Sequence, residues 1–333
     1  MRTNSMRWPL VAALLLIEHP TLAHHSYALF DLDQVLMLEG TVTKLDWGNP
    51  HVYIELDTGG PGAPELWVIQ AEPPAVMSLL GWSRQSLAPG ERVTVETRAP
   101  RRPGRRMALG SEVRKEDGTR LTMRPSPRPE PGPAVAAEGL QGQWLPEADE
   151  ALYSAFLEPL AALDVTAAGK AAVEAYTDAD NPSQDCVSEP TPYVMTWSTP
   201  KRIEVTPERV TILDSLGVER TVHMTVDSHD DTAPSAQGHS IGRWEDGELV
   251  VDTTRFAEHR RGNAWGLPSG LRKHLTERFA LSADRQSLTY TFTVEDPDYL
   301  AEEFSGTLRL TYRPDLPFVT EPCAAELARR YLD

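Results

Sequence analysis

The chain carries only two cysteines, Cys186 and Cys323, among 333 residues, and no Cys-x-x-Cys pair. That excludes a dithiol redox enzyme and a zinc ribbon, both of which need closely spaced thiols. No nucleophile elbow, phosphate-binding glycine loop or His-Glu-x-x-His helix stands out. No apolar run approaches the roughly 20 residues that a membrane-spanning helix requires. Positive charge is also scarce, with 32 Lys and Arg against 49 Asp and Glu, a formal net charge of −17. Such a surface repels nucleic acid and anionic lipid.

The deficit is uneven. Residues 24–125 hold 12 basic against 13 acidic side chains, whereas residues 126–333 hold 18 against 35. The exception is the basic run "RAPRRPGRR", Arg98 to Arg106, whose two prolines and glycine read as a solvated loop between strands. An acidic partner is the alternative reading.

The amino terminus has the layout of a secretory signal. Arg2 and Arg7 precede the apolar run "WPLVAALLLI", and "EHPTLA" ends in a small residue, Ala23. A mature chain beginning at His24 in the periplasm or outside the cell is the expectation. In such a compartment an even cysteine count favours a Cys186–Cys323 disulfide. Closing so long a loop contributes up to ~4–5 kcal/mol in the chain-entropy account.

The proline-rich stretch "RPSPRPEPGPAVAAEG" marks a break between two modules. The division predicted is a signal at 1–23, a small β-barrel domain at 24–124, a linker at 125–139 and a larger domain at 140–333. In the first module "LEGTVTKLDW", "HVYIELD", "ELWVIQA" and "ERVTVETRA" alternate as strands. Val52, Ile54 and Leu56 take one face, and His51, Tyr53 and Glu55 the other. One short helix, "PPAVMSLL", stops at Gly81. Strands with a single helix at this size predict an OB-like barrel. The second module opens with helical segments and continues as antiparallel strands, with a hairpin at Asp246-Gly247 and a short helix at the end. The fold class expected is mainly β: two antiparallel β-barrel-like domains, the second a larger curved sheet or barrel with flanking helices.

The segments "HHSYALFD", "EGTVTKLDWGNPHVYIELD" and "LLGWSRQSLAPGERVTVE" resemble an uncharacterised family of exported bacterial proteins, with His-His-Ser after the signal and Trp-x-Asn-Pro-His in the first hairpin. "GHSIGRWEDGELVVDTTRF", "HLTERF" and "VEDPDYL" resemble a second uncharacterised exported bacterial domain, although "TVDSHDDTAPSAQGHS" departs from its usual proline- and tyrosine-rich approach. Neither resemblance implies an activity; both imply export and fold.

Two candidate sites follow from the residues. A terminal His24 offers an amine and an imidazole to one metal, His25 adds a second imidazole, and His51 can complete a nitrogen-rich set suited to copper(II). The alternative is a terminal tail without a metal. In the second module Glu277 shares the apolar face of "HLTERFAL" with Leu275 and Phe279, so it needs a partner. Tyr290 is the expected hydrogen-bond donor, with Arg243 or Arg278 as the alternative ionic partner. His239 and His274 precede their strands, and Asp252 lies nearby. Together with Glu277 they are candidate acid–base residues for a hydration, isomerisation, hydrolysis or elimination. Trp244 and Tyr290 are candidate contacts for a small apolar ligand. The functional expectation is a copper-binding exported protein, with an enzyme or an envelope structural protein as the alternatives.

Overall fold

The computed structural model describes residues 29–124, 134–147 and 162–330, apart from residues 61, 230, 231 and 265. The chain is mainly β, as its alternation predicts. The first module begins with a long strand β1 (Phe30–Asp46), followed by β2 (Tyr53–Asp57) and β3 (Leu66–Gln70). Helix α1 (Pro74–Leu79) leads to β4 (Arg92–Pro100) and β5 (Met107–Lys115). β1 pairs antiparallel with β2 and β4, and β3 pairs parallel with β5. The order β1-β2-β3-β5-β4 therefore returns to β1, a closed path of OB type with the helix between the third and fourth strands. A short β6 (Arg120–Thr122) extends β5 at the edge.

Val52, Ile54 and Leu56 line this barrel's core with no exposed surface. The alternation of β1 is interrupted. Val42 pairs with Leu56 and Lys44 with Glu55, so Thr43 is an extra residue. This bulge exchanges the faces on either side of it. Val42 before the bulge and Trp47 after it both reach the core, although simple alternation assigns them to opposite faces.

In the second module nine strands close into a barrel. Around it run β7 (Gly142–Pro146), β8 (Lys201–Val205), β9 (Arg209–Asp214), β10 (Glu219–His223), β11 (His239–Glu245), β12 (Glu248–Thr254), β15 (His274–Leu281), β16 (Ser287–Glu295) and β17 (Phe304–Tyr312). All neighbours are antiparallel except β10 and β11, which pair parallel through two residues each. The Asp246-Gly247 turn has positive φ at both residues, the conformation that Asp-Gly favours in a two-residue hairpin. Two short strands, β13 (His259–Ala264) and β14 (Leu267–Ser269), pair with each other outside the barrel sheet. Helix α2 (Ala167–Glu174) packs against β14, with Thr166 capping its first turn.

Leu249, Val251, Leu275, Phe279, Leu288, Tyr290, Phe292 and Val294 fill the second barrel. Ala137, within the stretch read as linker, is buried against the same core, and its amide bonds to Arg285. No helix among the described residues is long and apolar enough to cross a membrane.

The two barrels are also joined through the carboxy-terminal segment. After β17 the chain crosses to the first barrel and ends in α3 (Ala325–Arg329). Cys323 is disulfide-bonded to Cys186. Asn49 donates from Nδ2 to the carbonyls of Leu216 and Glu321, and its own carbonyl accepts from the Ala324 amide. Leu327 packs with Phe30, Tyr53, Met107 and Leu109. Arg330 forms ion pairs with Asp46 and Glu55 and lies over the Tyr53 ring. The polar-side face of β2 is thus covered by the carboxy-terminal strap.

Candidate functional site

Each strand of the second barrel presents alternate residues inward, and this alternation divides the candidate residues between two environments. Val251 pairs with Glu277 and Asp252 with Thr276, so Glu277 points inward while Asp252 points outward.

Inside, Glu277 is held by Arg220 of β10. Nη1 lies 2.8 Å from Oε1 and Nη2 2.5 Å from Oε2, a two-pronged pairing. Tyr290 donates to Oε1 at 2.8 Å, the bond expected from the alternation. Arg220 also donates to Ser240 Oγ at 2.9 Å and Thr253 Oγ1 at 2.7 Å. Burial, reinforced by the neighbouring Glu277 charge, pushes the Tyr290 phenol well above its ordinary range. Burial opposes the charge on Arg220, but the Glu277 carboxylate outweighs it and holds that guanidinium above its usual value. Arg243 and Arg278, the alternative partners considered for Glu277, pair instead with Glu245 and Glu248 on the outer face. The inner network is a satisfied ion pair within an apolar core.

The segment Gly238-His239-Ser240-Ile241-Gly242 spells Gly-x-Ser-x-Gly. Ser240, however, lies on β11, and its buried hydroxyl is bonded to Arg220 and Thr253. A nucleophile elbow requires a strand-to-helix turn that exposes the serine; this serine serves the inner network.

Outside, four imidazoles and two carboxylates lie together. His274 Nε2 is 2.7 Å from Asp252 Oδ2, and His229 Nε2 is 2.9 Å from Asp252 Oδ1. His229 Nδ1 faces His239 Nδ1 at 2.9 Å. His223 stacks on His239 with ring centroids 4.9 Å apart, and Glu295 lies 3.7 Å from His274 Nδ1. The framework is provided by the ends of β10, β11, β15 and β16 and by the outward face of β12, with His229 contributed by the β10–β11 connection. Burial opposes ionisation of Asp252, but its hydrogen bonds from His274 and His229 hold the carboxyl below its ordinary range. Burial, with the neighbouring His223, His229 and Arg255, lowers the pKa of His239. A shallow cleft of about 500 Å³ opens beside Asp252, lined also by Thr276, Arg278, Thr291, Thr293 and Thr307.

Three of the four acid–base candidates, His239, Asp252 and His274, are therefore connected, while Glu277 lies behind the sheet. Sequence reading missed His223, His229 and Arg220. The alternation of "ERTVH" carried a signal for Arg220, which shares the inward face of Val222. His229 lies in a segment without periodicity, so its place became apparent only in the fold. The two candidate ligand contacts do not share an environment: Tyr290 is sealed in the core and Trp244 is 48% exposed near the β11–β12 hairpin.

Of the metal candidates, His24 and His25 lie outside the described residues. His51 is half-buried, and its Nδ1 lies 3.1 Å from the Ala71 carbonyl. The carbonyl can only accept, so Nδ1 carries the proton and Nε2 keeps its lone pair. Burial lowers the pKa of this imidazole to about 4, against the raising effect of the Ala71 hydrogen bond. Among the described residues no group of three or more His, Cys, Asp or Glu is arranged to hold a metal ion.

Residues 13–110 match a protein family described as "Family of unknown function (DUF6152)", so a domain of that family covers most of the first barrel. No curated protein and no solved structure matches the chain.

Proposed function

We propose that this is an exported protein that performs acid–base chemistry on a small molecule at the outer face of its second barrel. The observation that carries this reading is the hydrogen-bonded chain His239–His229–Asp252–His274 on the outer face, whose carboxylate, though none of its imidazoles, lines an open cleft. An ionised carboxylate that orients imidazoles equips them to take and return protons near neutral pH. Glu277 has no part in this reading, because its oxygens are engaged by Arg220 and Tyr290. Export is supported by the signal-like residues 1–23 and by the disulfide, which suits an oxidising compartment.

The test uses 5-nitrobenzisoxazole, a small apolar molecule whose ring opens when a general base removes its carbon-bound proton. The wild-type protein should open it faster than an equal concentration of free imidazole, by roughly the 10²–10⁴-fold that a positioned base contributes. His239→Ala and Asp252→Ala should lose this rate. A wild-type rate no greater than that of imidazole would sink the reading.

A second reading, copper(II) binding by His24, His25 and His51, is favoured by the neutral His51 ring with its free Nε2. Leu29, the first described residue, packs in the same cluster as Tyr53, whose ring lies 6.3 Å from that of His51. His25 is four residues before Leu29, within a reach of roughly 14 Å for extended chain. Copper titration of exported protein with an intact mass beginning at His24 should produce a nitrogen-rich EPR signal that His51→Ala alters. A signal indifferent to that substitution would remove His51 from the set.

A further inference from the structure

The outer-face chain has a direction, and the donors and acceptors fix it. The Asp252 carboxylate only accepts hydrogen bonds, and its two oxygens lie 2.9 Å from His229 Nε2 and 2.7 Å from His274 Nε2. Both of those nitrogens must therefore carry protons. A neutral His229 protonated on Nε2 has a bare Nδ1. That bare nitrogen faces His239 Nδ1 at 2.9 Å, so His239 must donate from Nδ1. A neutral His239 protonated on Nδ1 carries its lone pair on Nε2. This is the less common tautomer of a free imidazole, and here it is imposed by His229, which stands between His239 and the carboxylate.

We propose that His239 Nε2 is the proton-accepting atom of the outer-face site and that His229 is the positioning residue that holds His239 in this tautomer. The inference rests on the acid–base reading above and identifies the atom at which it operates. No hydrogen bond from a described residue occupies His239 Nε2. His223 stacks on one face of the His239 ring and restrains its tilt.

The relay balances without a further reactant. A proton from the substrate binds His239 Nε2. The proton on His239 Nδ1 passes along the 2.9 Å contact to His229 Nδ1. His229 then carries both ring protons, and its positive charge rests beside Asp252. Return of the proton reverses the sequence. His274, on the other oxygen of Asp252, holds that carboxylate in place and competes with His229 for its charge. Among the described residues, the charged and titratable groups facing the chain include His223 from β10, His239 from β11, Asp252 from β12, Arg255 just beyond it, His274 from β15 and Glu295 from β16.

The test is a long-range ¹H–¹⁵N correlation spectrum of ¹⁵N-histidine-labelled protein at pH 8, which distinguishes bare from protonated ring nitrogens. The wild type should show His239 protonated on Nδ1 and bare on Nε2, with His229 the reverse. His229→Phe removes the acceptor, and His239 should revert to the common Nε2-protonated form. His229→Gln supplies a side-chain carbonyl and should retain the Nδ1-protonated form. A wild-type His239 protonated on Nε2 overturns the relay, as does a His229→Phe spectrum in which His239 is unchanged. These spectra need no substrate, so the two failures can be told apart. Wrong tautomers with rapid 5-nitrobenzisoxazole opening would overturn the relay and leave the acid–base reading standing. Correct tautomers with a rate no better than imidazole would overturn both the reading and the assignment of His239 as acceptor.

Discussion

At the scale of single residues, the two sides of the second barrel's sheet hold charge differently: a closed pair inside and an open, partly exposed chain outside. Arg220 and Glu277 are both almost wholly buried and meet through two hydrogen bonds. Removing one partner leaves an uncompensated charge in an apolar barrel, whereas replacing both removes the desolvation cost as well. Glu277→Gln or Arg220→Met should each destabilise the fold by about 3–5 kcal/mol, while the Arg220→Met/Glu277→Leu double variant should lose less than the sum. Urea denaturation of the four proteins measures this, and additive losses would contradict the pairing. His51 provides a pH test. Its folded pKa of about 4 lies below the usual value, so the unfolded chain binds more protons between the two. The contribution is present above pH ~6.5 and is lost as pH falls towards 4, by about 2 kcal/mol once its partial exposure is discounted. His51→Gln should show a shallower fall in stability from pH 7.5 to pH 4.5 than the wild type. Parallel curves would deny His51 that role.

At the scale of elements, most strands were legible because half-buried strands must alternate, and the Asp-Gly hairpin because few residues tolerate positive φ. β7 was not read as a strand. Its five residues close the barrel between β17 and β8, partners that lie far away in the sequence. The Thr43 bulge was equally silent, since an inserted residue appears only as a lapse in alternation. α3 was legible as a helix but its docking surface was not, since the cover for Phe30 and Tyr53 comes from the far end of the chain. Leu327→Asp should place a charge in that contact and detach the strap. Hydrogen exchange should accelerate at the Ala324 amide, which bonds to Asn49, and remain slow in β15 and β16. Equal protection at Ala324 in the variant would show that Leu327 does not hold it.

At the scale of the whole molecule, the carboxy-terminal segment crosses from the second barrel back to the first. The Cys186–Cys323 bond closes a separation of 137 residues beside the segment that bonds to Asn49. A double Cys186→Ser/Cys323→Ser variant should lose up to ~4–5 kcal/mol, less if the unfolded state keeps structure. Its denaturation should also resolve into separate transitions for the two barrels. A single transition with an unchanged midpoint would mean that non-covalent contacts suffice to couple them. In this arrangement Trp47-x-Asn49-Pro50-His51 serves first as a docking point: Asn49 receives the strap while Trp47 enters the core. A sequence motif near a candidate metal ligand thus has a structural use as well, and His51 retains one nitrogen for the other.

The sequence by itself determined the β character, the disulfide pairing and the inward position of Glu277 with Tyr290. Each follows from local periodicity or from a choice with one answer, such as two cysteines forming one bond. Only the tertiary structure decided that Arg220 is the partner of Glu277, that Asp252 and Glu277 stand on opposite sides of one sheet, and that His229 and His223 join His239. Those outcomes depend on register and closure. Register sets which strands become neighbours, and closure brings residues from separate hairpins to one end of the barrel. Neither quantity has a period that a linear chain displays.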